Sequence, residues 1–209
     1  MAIVRVRQHV NPLSQKYQQS PELPVWKEIY PNLMQPLHLD IGCGRGHFLL
    51  NMAQQQPDWN FLGLEIREPL VMQALQWRTD LGLTNLHYIF CNANSALRPL
   101  LQSLPPNRLK QVTIQFPDPW FKQRHQKRRV VQPEMVDLLA EFLAPEGFVL
   151  LQSDVEAVAI EMCERFQAQP IFTRQEPEWL PTNPLPVPTE REQSTLSRGL
   201  PVYRAMFTK

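Results

Sequence analysis

The sequence predicts an α/β fold, a mostly parallel sheet with helices on both faces, on three observations. Strand-length apolar runs alternate with helix-like stretches along most of the chain, the pattern of repeated βαβ units. The first of these runs enters a glycine-rich turn that opens a helix. The length, 209 residues, holds one such domain with a substantial core and is too short to favour two.

The elements follow in order. Residues 1–36 are polar and broken by Pro12, Pro21, Pro24, Pro31 and Pro36. They form an expected N-terminal arm, partly flexible, with one short helix around Pro24–Tyr30, that wraps the domain or touches a ligand. The domain proper is expected over 37–209. Its strands are predicted at Leu37–Ile41, Asn60–Glu65, Leu86–Cys91, Gln111–Phe116 and Gly147–Gln152, with a sixth at Ile171–Arg174 and a closing one at Val202–Phe207. Helices are predicted between them at His47–Gln55, Pro69–Leu81, Ser95–Ser103, Pro133–Phe142 and Val155–Phe166. The stretch holding Pro177, Pro181, Pro184, Pro186 and Pro188 cannot pair as a central strand and is expected to be an exposed loop. In such a sheet, ligands belong at the carboxyl ends of the strands.

Composition narrows the function classes. With 43% hydrophobic and 20% charged residues and a formal net charge of +1, the chain reads as an ordinary soluble protein, so any basic surface is local. Cys43, Cys91 and Cys163 are far apart and odd in number, which gives neither a disulfide framework nor a CxxC metal site and fits a reducing cytoplasm. No metal, no membrane anchor and no obligate protein partner is expected. The first seven residues, Met1 to Arg7, lack the apolar core of a signal peptide.

Two segments carry chemistry. In Leu37-His38-Leu39-Asp40-Ile41-Gly42-Cys43-Gly44-Arg45-Gly46-His47, glycines at 42, 44 and 46 permit positive φ and close backbone approach, so amide donors face whatever sits at the helix N-terminus. The dinucleotide fingerprint requires a glycine where His47 stands, which argues against a pyrophosphate-binding dehydrogenase. Glu65 closes the second strand, suited to hydrogen-bonding both ribose hydroxyls of an adenosine. Asn92-Ala93-Asn94 follows the third, with amide groups suited to an adenine edge. These three strand ends resemble the S-adenosylmethionine pocket of class I methyltransferases.

The second segment is Phe116-Pro117-Asp118-Pro119-Trp120-Phe121, followed by Lys122, Arg124, His125, Lys127, Arg128 and Arg129. The two prolines fix φ and bias the residues before them toward extended geometry, holding Asp118 rigidly at a strand end. Trp120 is suited to stacking on a base or to the core. The five cations form a local footprint for a polyphosphate.

The whole stretch from Phe116 to Arg129 resembles the signature of bacterial tRNA (guanine-N7)-methyltransferases. The likeness extends through the Asp40 glycine loop, Glu65, Asn92-Ala93, Ser153-Asp154 and Thr189-Glu190-Arg191-Glu192, roughly residues 37–207. It implies a Rossmann-like class I fold of seven strands with an antiparallel last strand, S-adenosylmethionine as cofactor, and tRNA as partner, methylated at N7 of a variable-loop guanosine. It implies cofactor contacts from Asp40, Gly42, Gly44, Gly46, Glu65, Asn92, Ala93 and Asp118. Lys122, Asp154, Thr189 and Glu192 are the implied substrate contacts, with Arg124, Lys127, Arg128 and Arg129 as expected phosphate ligands and Asp118 as the catalytic carboxylate. The family usually has an aspartate at Asn92 and Thr-Lys-Phe/Tyr-Glu at 189–192, so Glu190 and Arg191 depart from its pattern. The competing readings are a methyltransferase for another RNA position or base atom, and a noncatalytic RNA-binding protein of the same fold.

Overall fold

A computed structural model describes residues 10–19 and 21–209. Met1 to His9 and Ser20, which belong to the predicted arm, lie outside the described residues. Five parallel strands, β1 (Leu37–Ile41), β2 (Asn60–Glu65), β3 (Leu86–Phe90), β4 (Leu109–Gln115) and β5 (Phe148–Ser153), lie in one sheet with β6 (Thr173–Arg174) and β7 (Tyr203–Thr208). The spatial order is β3-β2-β1-β4-β5-β7-β6, and β7 runs antiparallel to both neighbours. The expected α/β class, seven strands and antiparallel last strand are all present. The order reverses between β1 and β4, which opens a crevice at their carboxyl ends.

The intervening helices are α1 (Trp26–Ile29), α2 (His47–Gln55), α3 (Glu68–Asp80), α4 (Ala93–Gln102), α5 (Pro133–Phe142), α6 (Glu156–Gln167) and α7 (Glu190–Ser197). Two apolar clusters divide them. One gathers α4, α5 and α6 against Leu37, Leu39, Ile41, Leu64, Val112, Ile114 and Val149. The other gathers α2 and α3 against Phe61, Leu86, Tyr88 and Leu150. The split follows from the two-residue period of a strand, which sends alternate side chains to opposite faces. The short arm helix is anchored by Trp26, whose Nε1 donates to Ser103 Oγ (2.8 Å), and by Tyr30, whose hydroxyl donates to the Phe61 carbonyl (2.8 Å).

Three expectations change. Phe116 is not extended: its amide still donates to the Gln152 carbonyl at 2.7 Å, and its φ of 51° then turns the chain out of the sheet. The proline-rich loop is not wholly exposed, because Leu185 and Val187, alternating with prolines, bury in the second cluster. Residues 189–192, outside every predicted helix, are the cap and first turn of α7. Thr189 caps that helix, its hydroxyl accepting from the Glu192 amide at 3.1 Å. Thr-x-x-Glu is a capping-box pattern, but α7 is polar on all sides and gives no apolar periodicity to find it by.

Candidate active site

A cleft opens at the carboxyl ends of β1, β2, β3 and β4, where Gly42, Glu65, Arg67, Asn92, Ala93, Asp118, Trp120 and Arg128 meet. Counted out to its open mouth it holds about 770 Å³ of empty space. Its apolar walls come from Ile41, Leu64, Ile66 and Val130.

The glycine loop shapes one wall. Gly42 sits at φ 81° and its amide donates to the Leu64 carbonyl (2.8 Å). Gly46, at φ 79°, begins α2 directly over Tyr88, where a Cβ would come within 2.8 Å of two ring carbons and the hydroxyl oxygen. Tyr88 in turn donates its hydroxyl to the Gly46 carbonyl (2.7 Å). The third family glycine is therefore required by packing beneath the loop, while Gly42 is required by the turn itself.

Glu65, 3% exposed, presents both oxygens to donors. Oε1 accepts from the Arg67 amide (2.9 Å) and Nε (2.8 Å), and Oε2 from the Gly44 amide (2.9 Å) and Arg67 Nη2 (3.0 Å). Burial opposes the Arg67 charge, but hydrogen bonds to Glu65 and the charges of Glu65 and Asp118 outweigh it and raise the pKa of Arg67. Arg67 was absent from the sequence reading; its guanidinium fork offers Glu65 the same paired donors that a vicinal diol would. Asn92 caps α4, its Oδ1 accepting from the Asn94 amide (3.2 Å).

Asp118 lies three residues past the end of β4, between two non-glycine residues in left-handed geometry, Phe116 (φ 51°) and Trp120 (φ 42°). Such backbone costs of order 1–3 kcal/mol each and persists where surrounding structure over-determines it. The Trp120 ring is capped by the Arg128 guanidinium at 4.9 Å and met edge-on by His125 at 5.7 Å. Lys122 through Arg129 form a 3-10 helix at Gln123–Arg128 with its flanks. Lys122, Arg124 and Lys127 are exposed. Arg129 turns inward instead, donating from Nε to the Pro119 carbonyl (2.8 Å) and pairing with Glu161. His125 is held below the ordinary imidazole range, by partial desolvation first and then by Arg128, Arg124 and Lys122.

Other predicted residues stand away from the cleft. Asp40, 3% exposed, lies behind the loop, its Oδ1 accepting from Thr113 Oγ1 (2.6 Å) and Gln115 Nε2 (3.5 Å). Burial foremost raises its pKa to about 6. From there a chain of buried polar groups crosses the sheet. Gln152 Nε2 donates to Gln115 Oε1 (2.6 Å), Arg204 Nε donates to Gln152 Oε1 (2.8 Å), and Arg204 Nη2 donates to Glu192 Oε1 (2.6 Å). Asn183 Nδ2 closes it on Glu192 Oε2 (2.7 Å). Both Glu192 oxygens thus have internal partners, and at 1% exposure this residue anchors α7. Its neighbours are tied as well: Glu190 to His47 Nδ1 (2.7 Å) and Arg191 Nε to Asp154 Oδ2 (2.9 Å). The two departures from the family motif therefore fasten α7 to α2 and to the end of β5.

Among the described residues no cluster of His, Cys, Asp and Glu is arranged to hold a metal ion, and no helix is long and apolar enough to cross a membrane.

Known proteins resemble this chain in sequence and in fold. A family model described as a putative methyltransferase matches residues 34–205. The chain is 63% identical to the tRNA (guanine-N(7)-)-methyltransferase of Trichormus variabilis, over 100% of this chain and 98% of that protein. It is 61% identical to the protein of the same name from Microcystis aeruginosa, over 99% of each. Among solved structures, it is similar to precorrin-6y C5,15-methyltransferase from Geobacter metallireducens (TM-score 0.56, 14% identity, 84% of this chain and 80% of that one). An rRNA methylase from Streptococcus thermophilus is comparable (TM-score 0.53, 15% identity, 84% and 87%); these two share the fold alone. The sequence identity over the full length is decisive, and the chain belongs to the tRNA (guanine-N7-)-methyltransferase family.

Proposed function

We propose that the protein transfers a methyl group from S-adenosylmethionine to N7 of a guanosine in tRNA, the variable-loop guanosine at position 46. The observation that carries this reading is one cleft lined both by Gly42, Glu65, Asn92 and Ala93 and by Asp118, Trp120 and Arg128. The donor set fits the cofactor: a carboxylate already holding paired donors at Glu65, a strand-end amide at Asn92, and a glycine wall that permits close approach. When bound, the cofactor supplies an electrophilic methyl group on its sulfonium.

The chain's own work is alignment. Guanine N7 carries an in-plane lone pair at neutral pH, so no residue has to remove a proton from it. Fixing the base edge-on toward the reacting centre supplies several kcal/mol through proximity alone. Asp118, clamped between two prolines, accepts from N1–H and the exocyclic amine of the guanine and favours the positive charge the base acquires. Trp120 and Arg128 offer it a stacking surface, worth about 1–3 kcal/mol. By the family likeness Asp154 and Thr189 contact the substrate, Glu192 holds α7 in place, and exposed Lys122, Arg124 and Lys127 meet phosphates. N7 faces the deep groove of an RNA helix, which side chains reach poorly, so the base has to be presented from a loop.

The test is to incubate the protein with unmodified tRNA and labelled cofactor, then map the methyl by N7-specific depurination and strand cleavage. Cleavage at the variable-loop guanosine is expected. Label incorporated without cleavage there refutes the assignment of position.

A further inference from the structure

The arm reaches the cofactor end of the cleft. Val10 and Pro12 line it beside Asn92, Ala93 and Glu65. The segment is folded on itself: the Tyr17 amide donates to the Ser14 carbonyl (2.9 Å), and Gln18 Nε2 donates to the Pro12 carbonyl (2.6 Å). It is fastened to the domain at three points. Asn92 Nδ2 donates to the same Pro12 carbonyl (3.2 Å), Ser95 Oγ lies 3.3 Å from the Tyr17 carbonyl, and the Tyr17 ring meets Phe90 edge-on at 6.3 Å.

These contacts fix which way Asn92 faces. The Asn94 amide requires an acceptor and takes Oδ1; the Pro12 carbonyl requires a donor and takes Nδ2. Asn92 is 7% exposed, so its carboxamide has little freedom to flip. Oδ1 retains one lone pair and Nδ2 one hydrogen, an acceptor and a donor side by side. An aspartate, usual in the family at this position, has no hydrogen for Pro12 and would set two oxygens against each other.

Resting on the cofactor reading above, we propose that residues 10–18 form a strap whose Pro12 carbonyl orients the Asn92 carboxamide. This chain then recognises the adenine through a donor–acceptor pair, taking a hydrogen from the exocyclic amine and giving one to a ring nitrogen. A carboxylate can do only the first. Asn92 is the reading residue and Pro12 the positioning group.

Calorimetry with S-adenosylhomocysteine and its 1-deaza and 7-deaza analogues tests this without turnover. Removing a ring nitrogen that receives a hydrogen bond is expected to weaken binding roughly tenfold for one of the two analogues. Asn92→Asp is expected to bind all three ligands within about twofold of one another. Tyr17→Ala leaves Asn92 intact but loosens the strap, so the discrimination should shrink toward that of Asn92→Asp, while trypsin cleavage after Lys16 speeds up. Equal binding of the three ligands by the unaltered protein overturns the donor role. Full discrimination retained in Tyr17→Ala, with faster cleavage after Lys16, overturns the strap's part in it. Absence of any saturable heat with S-adenosylhomocysteine refutes the cofactor reading instead.

Discussion

The two faces of the central sheet are built from the same strands but differ in what they bury. On one, Leu39, Ile41, Leu64, Val112, Ile114 and Val149 are all nearly inaccessible and meet only apolar helix faces. On the other, one residue out of step, His38, Asp40, Thr113, Gln152, Glu192 and Arg204 are just as buried and are joined by hydrogen bonds. Register makes the continuity possible: Asp40 pairs with Thr113, Gln115 with Gln152, and Gln152 with Arg204 across successive strands. Burying an ion pair such as Arg204–Glu192 is weak evidence for stability, since apolar replacements of similar volume are often neutral or better. The second face also carries the apolar residues Phe61, Tyr88 and Leu150 under α2 and α3, so apolar packing on both faces holds the fold together, while the polar chain on one of them joins α7 to the strand that leads into the glycine loop.

The largest effect comes from breaking the polar face at its ion pair. Arg204→Met leaves Glu192 buried without its cation and is expected to cost about 3–5 kcal/mol in denaturant unfolding. The double variant Arg204→Met/Glu192→Met should recover most of that stability yet not the methylation rate, because α7 keeps only its two surface ties, to His47 and Asp154, and has lost the buried one. A double variant with full turnover would reduce the network to a structural ornament. On the apolar face the expectation is reversed. Leu39→Ala should cost about 2–5 kcal/mol through transfer and cavity terms, with turnover per folded molecule unchanged.

A comparable effect falls on Asp118. Asp118→Asn keeps the shape of the turn but removes the charge that favours the cationic base, and the methyl-transfer rate is expected to fall roughly 100-fold or more. Affinity for S-adenosylhomocysteine, measured by calorimetry, should change only a few-fold. A rate within a few-fold of the unaltered enzyme would remove Asp118 from the chemistry.

Much of this was legible in the sequence. The predicted strands and helices from Leu37 to Phe166 fall within a few residues of the observed ones, because each combined strong periodicity with a glycine or proline boundary. Gly42, Glu65, Asn92, Ala93, Asp118 and Arg128 do line one cleft. What stayed hidden depends on partners distant in sequence. Nothing local says that Arg129 turns in to Glu161 or that Arg204 meets Glu192. Asp40 and Glu192 are ligand contacts by the family resemblance alone, and the cross-strand register that joins them in the structure is not written in any local stretch of sequence.

The polar face also makes a pH prediction. Burial and, less strongly, the charge of Glu65 hold the Asp40 pKa at about 6 against the hydrogen bonds from Thr113 and Gln115, whereas burial lowers His38 to about 3. A raised carboxyl pKa contributes stability that is fully present below about pH 4 and lost as pH rises to about 6. A lowered imidazole pKa works the other way: its stability is present above about pH 6.5 and lost as pH falls toward 3. Between pH 4 and 6 the two slopes oppose, each about 1.4 kcal/mol per unit. In Asp40→Asn only the His38 slope remains. The stability of that variant minus that of the unaltered protein should therefore grow by about 1.4 kcal/mol per pH unit across this window and stay level outside it. A difference independent of pH would mean that Asp40 ionises as an ordinary exposed carboxylate, and that the polar face is wetter than its burial implies.

The smallest effect distinguishes outward cations from captured ones within a single segment. Lys122, Arg124 and Lys127 are exposed, whereas the Arg129 side chain is 12% exposed and already paired with Glu161. A lysine on a phosphate releases roughly one counterion, so Lys127→Ala should weaken tRNA binding modestly and lower the slope of log affinity against log salt by about one. Arg129→Ala should leave that slope unchanged. Its cost should appear in unfolding, because Glu161 and the Pro119 carbonyl lose the donors that brace the Pro-Asp-Pro turn. Equal salt slopes for the two variants would show that the inward ion pair opens when tRNA arrives, and that the division between positioning and gripping cations holds only in the free protein.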